Sequence, residues 1–242
     1  VCSSDLPIVF AEAENSNGLL KVLIYLGCVM LFCNAPFLNN QKPYMILRCK
    51  RKGWYLGENM YVWLAAFLYM LFISLISLIA VLPTVSTNRL WGEIAGDFVV
   101  NQRSLIPVYT WGLVMPVRVI QNYYPLAAFM YTFITGWLSI VFIGKLMYLL
   151  NLKIGKKTIG ISAAVFFIML DPVAVYFTNF KQYGLFYVSP INWSSLENIN
   201  TVSGYPHLSG EYMFIMYIIL IGVESLLSYI CSIKMDIEVK MI

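Results

Sequence analysis

YVWLAAFLYMLFISLISLIAVL, residues 61–82, contains no Asp, Glu, Lys or Arg and is long enough to cross a bilayer as a helix. Apolar residues follow one another without the strict alternation of a barrel strand, so the stretch reads as a transmembrane helix. Four more runs of the same kind flank it, at about 19–38, 125–150, 158–177 and 212–233. The composition agrees. Hydrophobic residues make up 60% of the 242-residue chain and charged residues only 12%, against about 25% in soluble domains. The fold class that follows is all-α, a polytopic transmembrane helical bundle forming one domain over residues 19–242, with five spans in the sequence.

Charge distribution sets the orientation. Lys42, Arg48, Lys50, Arg51 and Lys52 fall between the first and second runs, and Lys153, Lys156 and Lys157 between the third and fourth. The segments 83–124 and 179–210 carry few cations. By the positive-inside rule the two basic loops are cytoplasmic, the other two external, and the C-terminus, with Lys234 and Lys240, cytoplasmic. The net charge of +4 therefore reads as the inner face of a multi-pass protein of the cytoplasmic membrane, in contact with membrane lipids and not with nucleic acid.

That orientation places the first observed residues outside. Residues 1–18 have no basic region followed by an apolar one, as a signal peptide would. Val1 to Leu6, VCSSDL, look like the translation of a common sequencing adapter and are expected to be a scar. Residues 7–18 then read as the tail of an external loop that follows a lost span, so a truncated fragment of a six-span protein is expected.

No covalent chemistry is legible. The single histidine, His207, lies beside Pro206 in an external segment, where it can build neither a helical zinc site nor an intramembrane relay. Gly155-Lys156-Lys157-Thr158 falls short of a phosphate-binding loop, because Leu150 replaces its leading glycine and Lys157 its Ser or Thr. No ATP site, cofactor, metal site or catalytic residue is expected on this chain. Ser74, Ser77 and Ser139 have no base beside them and are expected to bond back to their own helices. Cys28, Cys33 and Cys231 read as small packing residues. Asn192-Trp193-Ser194 fits a glycosylation acceptor, a signal short enough to arise by chance.

Two intramembrane acids are candidates for a translocation path. Glu224, near the middle of the last run beside Gly222 and Ser225, is expected to face the bundle, either bonded to a neighbouring helix or touching cargo. Asp171 is expected to reach the outer interface, and Lys145 to snorkel to the inner one. Asp171-Pro172 is expected to kink or end its helix.

The basic segment before residues 61–82 is the most unusual. It reads Asn34-Ala35-Pro36-Phe37, then continues from Lys42 through Arg48, Arg51, Lys52, Trp54 and Tyr55. Residues 44–55 can form a short interfacial helix, with Tyr44, Leu47 and Trp54 toward headgroups and Arg48, Arg51 and Lys52 toward water or a partner. Anchoring to anionic lipid is explanation enough for such a cluster, at about 1 kcal/mol per cation.

The NAPF element, the run Arg48-x-x-Arg51-x-x-Trp54, Thr87-Asn88-Arg89-Leu90-Trp91-Gly92 and Ser189-Pro190-Ile191-Asn192-Trp193-Ser194 resemble bacterial ABC transporter permeases of the type-2 exporter class. The resemblance covers most of the chain and rests chiefly on the order of spans and loops. It implies six spans with both ends cytoplasmic, and a second permease subunit in a homo- or heterodimer. A separate ATP-binding cassette subunit would carry ATP and Mg, and Tyr44, Arg48, Arg51, Lys52, Trp54 and Tyr55 would form the segment coupling to it. Short re-entrant helices are implied near residues 171–198, where an ordinary external loop with an aromatic belt is the alternative. Two other functions remain open. An ATP-independent transporter or assembly factor predicts paired intramembrane charges or an inverted repeat. A membrane-bound envelope enzyme would draw on Glu93, Asp97, Glu197 and His207.

Overall fold

A computed structural model of the chain describes residues 19–36, 42–81, 123–178, 184–196 and 209–234. Five α-helices and two 3-10 turns, with no strand among the described residues, make up the structure. The helices are α1 (Leu19–Phe32), α2 (Lys42–Val81), α3 (Pro125–Ile154), α4 (Lys157–Thr178) and α5 (Gly210–Lys234). The 3-10 turns, Gly184–Tyr187 and Asn192–Ser194, lie between α4 and α5.

Four helices, α2 to α5, are long and apolar enough to cross a membrane. The fifth expected span is represented by the 14 residues of α1, about 21 Å at 1.5 Å per residue. The expectations for residues 1–18 and for residues 83–122 fall outside the described residues, as do Glu93, Asp97, Glu197 and His207.

Local chemistry explains the helix ends. Tyr124 is extended (φ −71°, ψ 148°) and Pro125 opens α3, where a missing N–H costs nothing and φ is already helical. Gly155 closes α3 in the left-handed region at φ 74°, its N–H donating to the Asn151 carbonyl at 2.9 Å. Ser209 Oγ accepts the Tyr212 N–H at 3.1 Å and caps α5. Of the two outcomes expected at Asp171-Pro172, the helix does not end there: α4 runs through to Thr178. The proline removes one backbone N–H, and buried Asp171 and Ala174 hold the helix against the bundle on either side of it.

The bundle is apolar outside, unlike a water-soluble helix bundle, and its interior combines an apolar core with buried polar groups. On α2 the residues Val62, Ala66, Met70, Ser74 and Ser77 face inward, while Leu64, Leu68, Phe72, Leu75 and Ile79 are exposed. On α5, Met213, Tyr217, Ile221, Glu224, Ser228 and Ser232 form the inward stripe, and Ile215, Ile218, Ile219, Val223, Leu226 and Ile230 point outward. Water would reject so much exposed aliphatic surface; hydrocarbon solvates it at no cost, and polar groups then gain by turning toward one another. The chain is a multi-pass membrane protein.

α3 is the axis of this arrangement and packs against every other helix. Its glycines allow the closest approaches. A Cβ on Gly144 would lie 3.0 Å from both the Phe32 ring and Val62, so α1 and α2 reach the α3 backbone there. Trp63 and Trp137 meet edge to face at 5.3 Å, with the Trp137 indole N–H donating to the Trp63 carbonyl at 3.2 Å. The serines behave as expected: Ser74 Oγ donates to the Met70 carbonyl (2.8 Å), Ser77 to Ile73 (3.0 Å) and Ser139 to Thr135 (3.0 Å). Cys28 is fully buried in the core.

Candidate functional site

Buried polar groups gather at two levels, one toward the bundle end that carries the basic segment and one toward the opposite end. The basic end begins with a broken helix. Residue 50 interrupts α2 with Lys50 at φ 60°, ψ 162°, so residues 42–49 form a short helix set off from the long one that follows. Arg48, Cys49, Lys50 and Lys52 are exposed there. Of Tyr44 the backbone alone is described, and it is helical.

Two of the expected outward-facing residues turn inward. Arg51 Nη1 donates to the Ile233 carbonyl near the end of α5, and does not project to water. Trp54 is buried, its ring 6.4 Å from that of Tyr148 in a small core with Ala35, Ile46 and Leu152. The cause is shared. An arginine on the first turn of a long helix satisfies an orphaned carbonyl at the end of its neighbour, and the indole beside it fills the gap between α2 and α3. Tyr55 extends the same seam, its hydroxyl donating to the Ser225 carbonyl at 2.7 Å and its ring meeting Tyr229 at 5.4 Å.

One turn deeper lies Lys145. It does not snorkel. It is 5% exposed, and its ammonium donates to Asn59 Oδ1 and Ser225 Oγ with the Trp63 ring centroid 5.8 Å away. Glu224 faces the bundle as the sequence implied, 6% exposed and near enough to Lys145 for their charges to interact. Its Oε2 is buried and has no hydrogen-bond partner among the described residues.

The second level is built around a charge pair. Asp171 does not reach an outer interface; it turns into the bundle, where its Oδ1 accepts from Lys21 Nζ at 3.2 Å and from Asn192 Nδ2 at 3.0 Å. The side chains of Lys21 and Asp171 are 8% and 4% exposed. Lys21 also donates to Ser195 Oγ at 2.5 Å. A carboxylate with this much help inside the protein has no reason to seek the headgroups. Neither Lys21 nor Ser195 was marked as functional by the sequence, and Asn192 was marked only as a glycosylation acceptor and within the Ser189–Ser194 motif. The only available signal was that Lys21 and Asp171 lie at matching ends of their apolar runs.

The segment 184–196 seats this level. It is not an exposed loop: Ile191, Asn192, Trp193, Ser194, Ser195 and Leu196 are all buried. Trp193 donates from Nε1 to the Phe186 carbonyl at 2.7 Å and packs edge to face on Tyr217 at 5.3 Å. Tyr25 donates to Ser194 Oγ at 3.0 Å, and the Tyr217 hydroxyl donates to the Pro190 carbonyl at 2.6 Å. Non-helical backbone is tolerated at membrane depth only when protein groups satisfy it in this way. Among its described residues, the segment for which re-entrant helices were implied holds two 3-10 turns between α4 and α5. Asn192 is fully buried with its amide committed to Asp171, so it does not serve as a glycosylation acceptor.

No protein-family model, curated protein or solved structure matches the chain. The site therefore has to be interpreted from its own chemistry.

Proposed function

We propose that this chain is the transmembrane subunit of an ATP-driven exporter, paired with a second permease subunit and worked by a separate ATP-binding cassette protein. The observation that carries the proposal is the broken start of α2. The short helix 42–49 is seated by buried Ile46 and carries exposed Arg48; Lys50 and Lys52 are exposed at the break, and Arg51, Trp54 and Tyr55 just beyond it are tied to α3 and α5. Such an element can take a push at its exposed side and pass it to two helices at once. A partner shifts a conformational equilibrium only through contacts that differ between states, and this seam supplies them. ATP and Mg belong to the partner; this chain contributes the coupling surface and the path, with Glu224 facing that path.

The test is purification of the tagged chain from its native membrane in mild detergent. An ATP-binding cassette protein is expected to accompany it and to be lost when Arg48→Glu and Lys52→Glu are combined, with the bundle still monodisperse. If no such protein accompanies the chain, or if the charge reversal leaves the association intact, the coupling role fails.

A second reading, an ATP-independent transporter, draws support from the Lys21–Asp171 pair, since paired intramembrane charges are what coupled transport requires. Uptake or efflux in sealed vesicles driven by a proton gradient, with no nucleotide present, would favour it.

A further inference from the structure

We infer that the Lys21–Asp171 pair, with Asn192 and Ser195, is a latch that holds residues 184–196 as a plug over one end of the bundle and lets go when that end opens. The inference rests on the chain being a transporter, but not on ATP as the energy source. Its basis is the way the segment is held. Lys21 comes from α1, Asp171 from α4 and Asn192 and Ser195 from the plug, so one charge pair ties three separate parts of the chain. Lys21 and Asp171 are separated by 150 positions in sequence. Beneath the plug, α3 meets it through Thr135, whose Oγ1 lies 3.4 Å from the Ser194 carbonyl, and through Ser139, which bonds to Tyr217 as that tyrosine holds Pro190. Thr135 and Ser139 are fully buried.

A buried ion pair suits a latch better than it suits a permanent brace. Hydrophobic residues of similar volume often hold a core as well or better, whereas a charge pair has two well-defined states: fully paired, or released together into water. Asn192 and Ser195 complete the paired state by filling further hydrogen-bonding positions on each charge. Rotation of the plug away from α4 and α1 would break these contacts as a set and expose Thr135.

Thiol accessibility tests this directly, with the full chain in proteoliposomes, its native cysteines replaced and a single Thr135→Cys reporter. A membrane-impermeant methanethiosulfonate is expected to label the parent slowly. Lys21→Met or Asp171→Leu alone should speed labelling on the order of a hundredfold, since removing one partner strands the other charge. The exchanged pair, Lys21→Asp with Asp171→Lys, should return it close to the parent rate. A second reporter, Met147→Cys, sits fully buried on the same helix toward the basic end and should stay unlabelled throughout. Labelling at Met147 that rises with that at Thr135 means general loosening and overturns the latch; so does an unchanged rate at Thr135 in the single variants. Should those variants fail to fold, Asn192→Ala removes one donor to Asp171 and leaves the ion pair. It is expected to speed Thr135 labelling by a smaller factor, and no change there also overturns the proposal. Because labelling needs neither nucleotide nor partner, its outcome is separable from the ATPase test.

Discussion

Lys145 is a buried amine whose hydrogen-bond partners, Asn59 and Ser225, are neutral, with Glu224 close enough to interact with it. Glu224→Leu and Lys145→Met are each expected to lower the unfolding temperature, because each removes one of two buried polar groups that lie close enough to interact. The double variant should lose less than the sum. Thermal unfolding in detergent, arranged as a double-mutant cycle, measures the coupling; strict additivity would mean that the two groups do not interact. Asn151 is the neutral counterpart. Its Oδ1 accepts the Gly160 N–H at 3.1 Å while its Nδ2 donates to the Ala35 carbonyl at 2.6 Å, so one amide ties α4 and the turn after α1 to the end of α3. A Cβ on Gly160 would collide with that amide oxygen and lie 3.0 Å from the Met147 carbonyl. Gly160→Ala is therefore expected to cost about 1–3 kcal/mol in the same unfolding assay, despite alanine's better helix propensity.

At the scale of elements, the break at Lys50 is the most consequential feature. Its φ of 60° with ψ of 162° lies in a region that only glycine occupies without strain, at a cost of order 1–3 kcal/mol for another residue. Lys50→Gly should raise the unfolding temperature or leave it unchanged, whereas Lys50→Val should lower it. If valine were harmless, the break would not be a fixed feature of the fold. The helix over 44–55 was legible in advance, but the break within it was not. The apolar run at 61–82 marks only the part of α2 within hydrocarbon, and the helix continues toward its N-terminus through polar residues that satisfy their backbone just as well in water. The face on which Arg51 and Trp54 would lie was equally illegible. Their direction depends on how α5 and α3 happen to be placed, and an isolated basic helix gives no sign of either neighbour. Asp171-Pro172 shows the same limit from the other side, a strong local breaker overruled by packing.

For the whole molecule, what the chain states in advance is its solvent: the apolar runs read correctly as a helical membrane bundle, four of them as helices long enough to cross a membrane. What it withholds is the interior. Lys21 and Asp171 are far apart in sequence, and nothing in either neighbourhood marks them as partners, so a pairing that decides the polar architecture emerges only in three dimensions. The central position of α3 carries a further consequence, one of timing. α3 has half of its apolar window (50%) covered by protein, against 28% for α2 and α4 and 22% for α5, and one of the helices that covers it, α5, is synthesised after it. Until α5 enters the bilayer, Lys145 and Ser139 lack contacts that the finished bundle gives them through Ser225 and Tyr217. A chain stopped before Gly210 should insert its earlier spans yet remain open to membrane proteases, with its half-life in pulse-chase experiments well below that of the parent. Biogenesis of this protein is thus a wait: α3 enters the bilayer before α5 and is completed only when α5 closes over it.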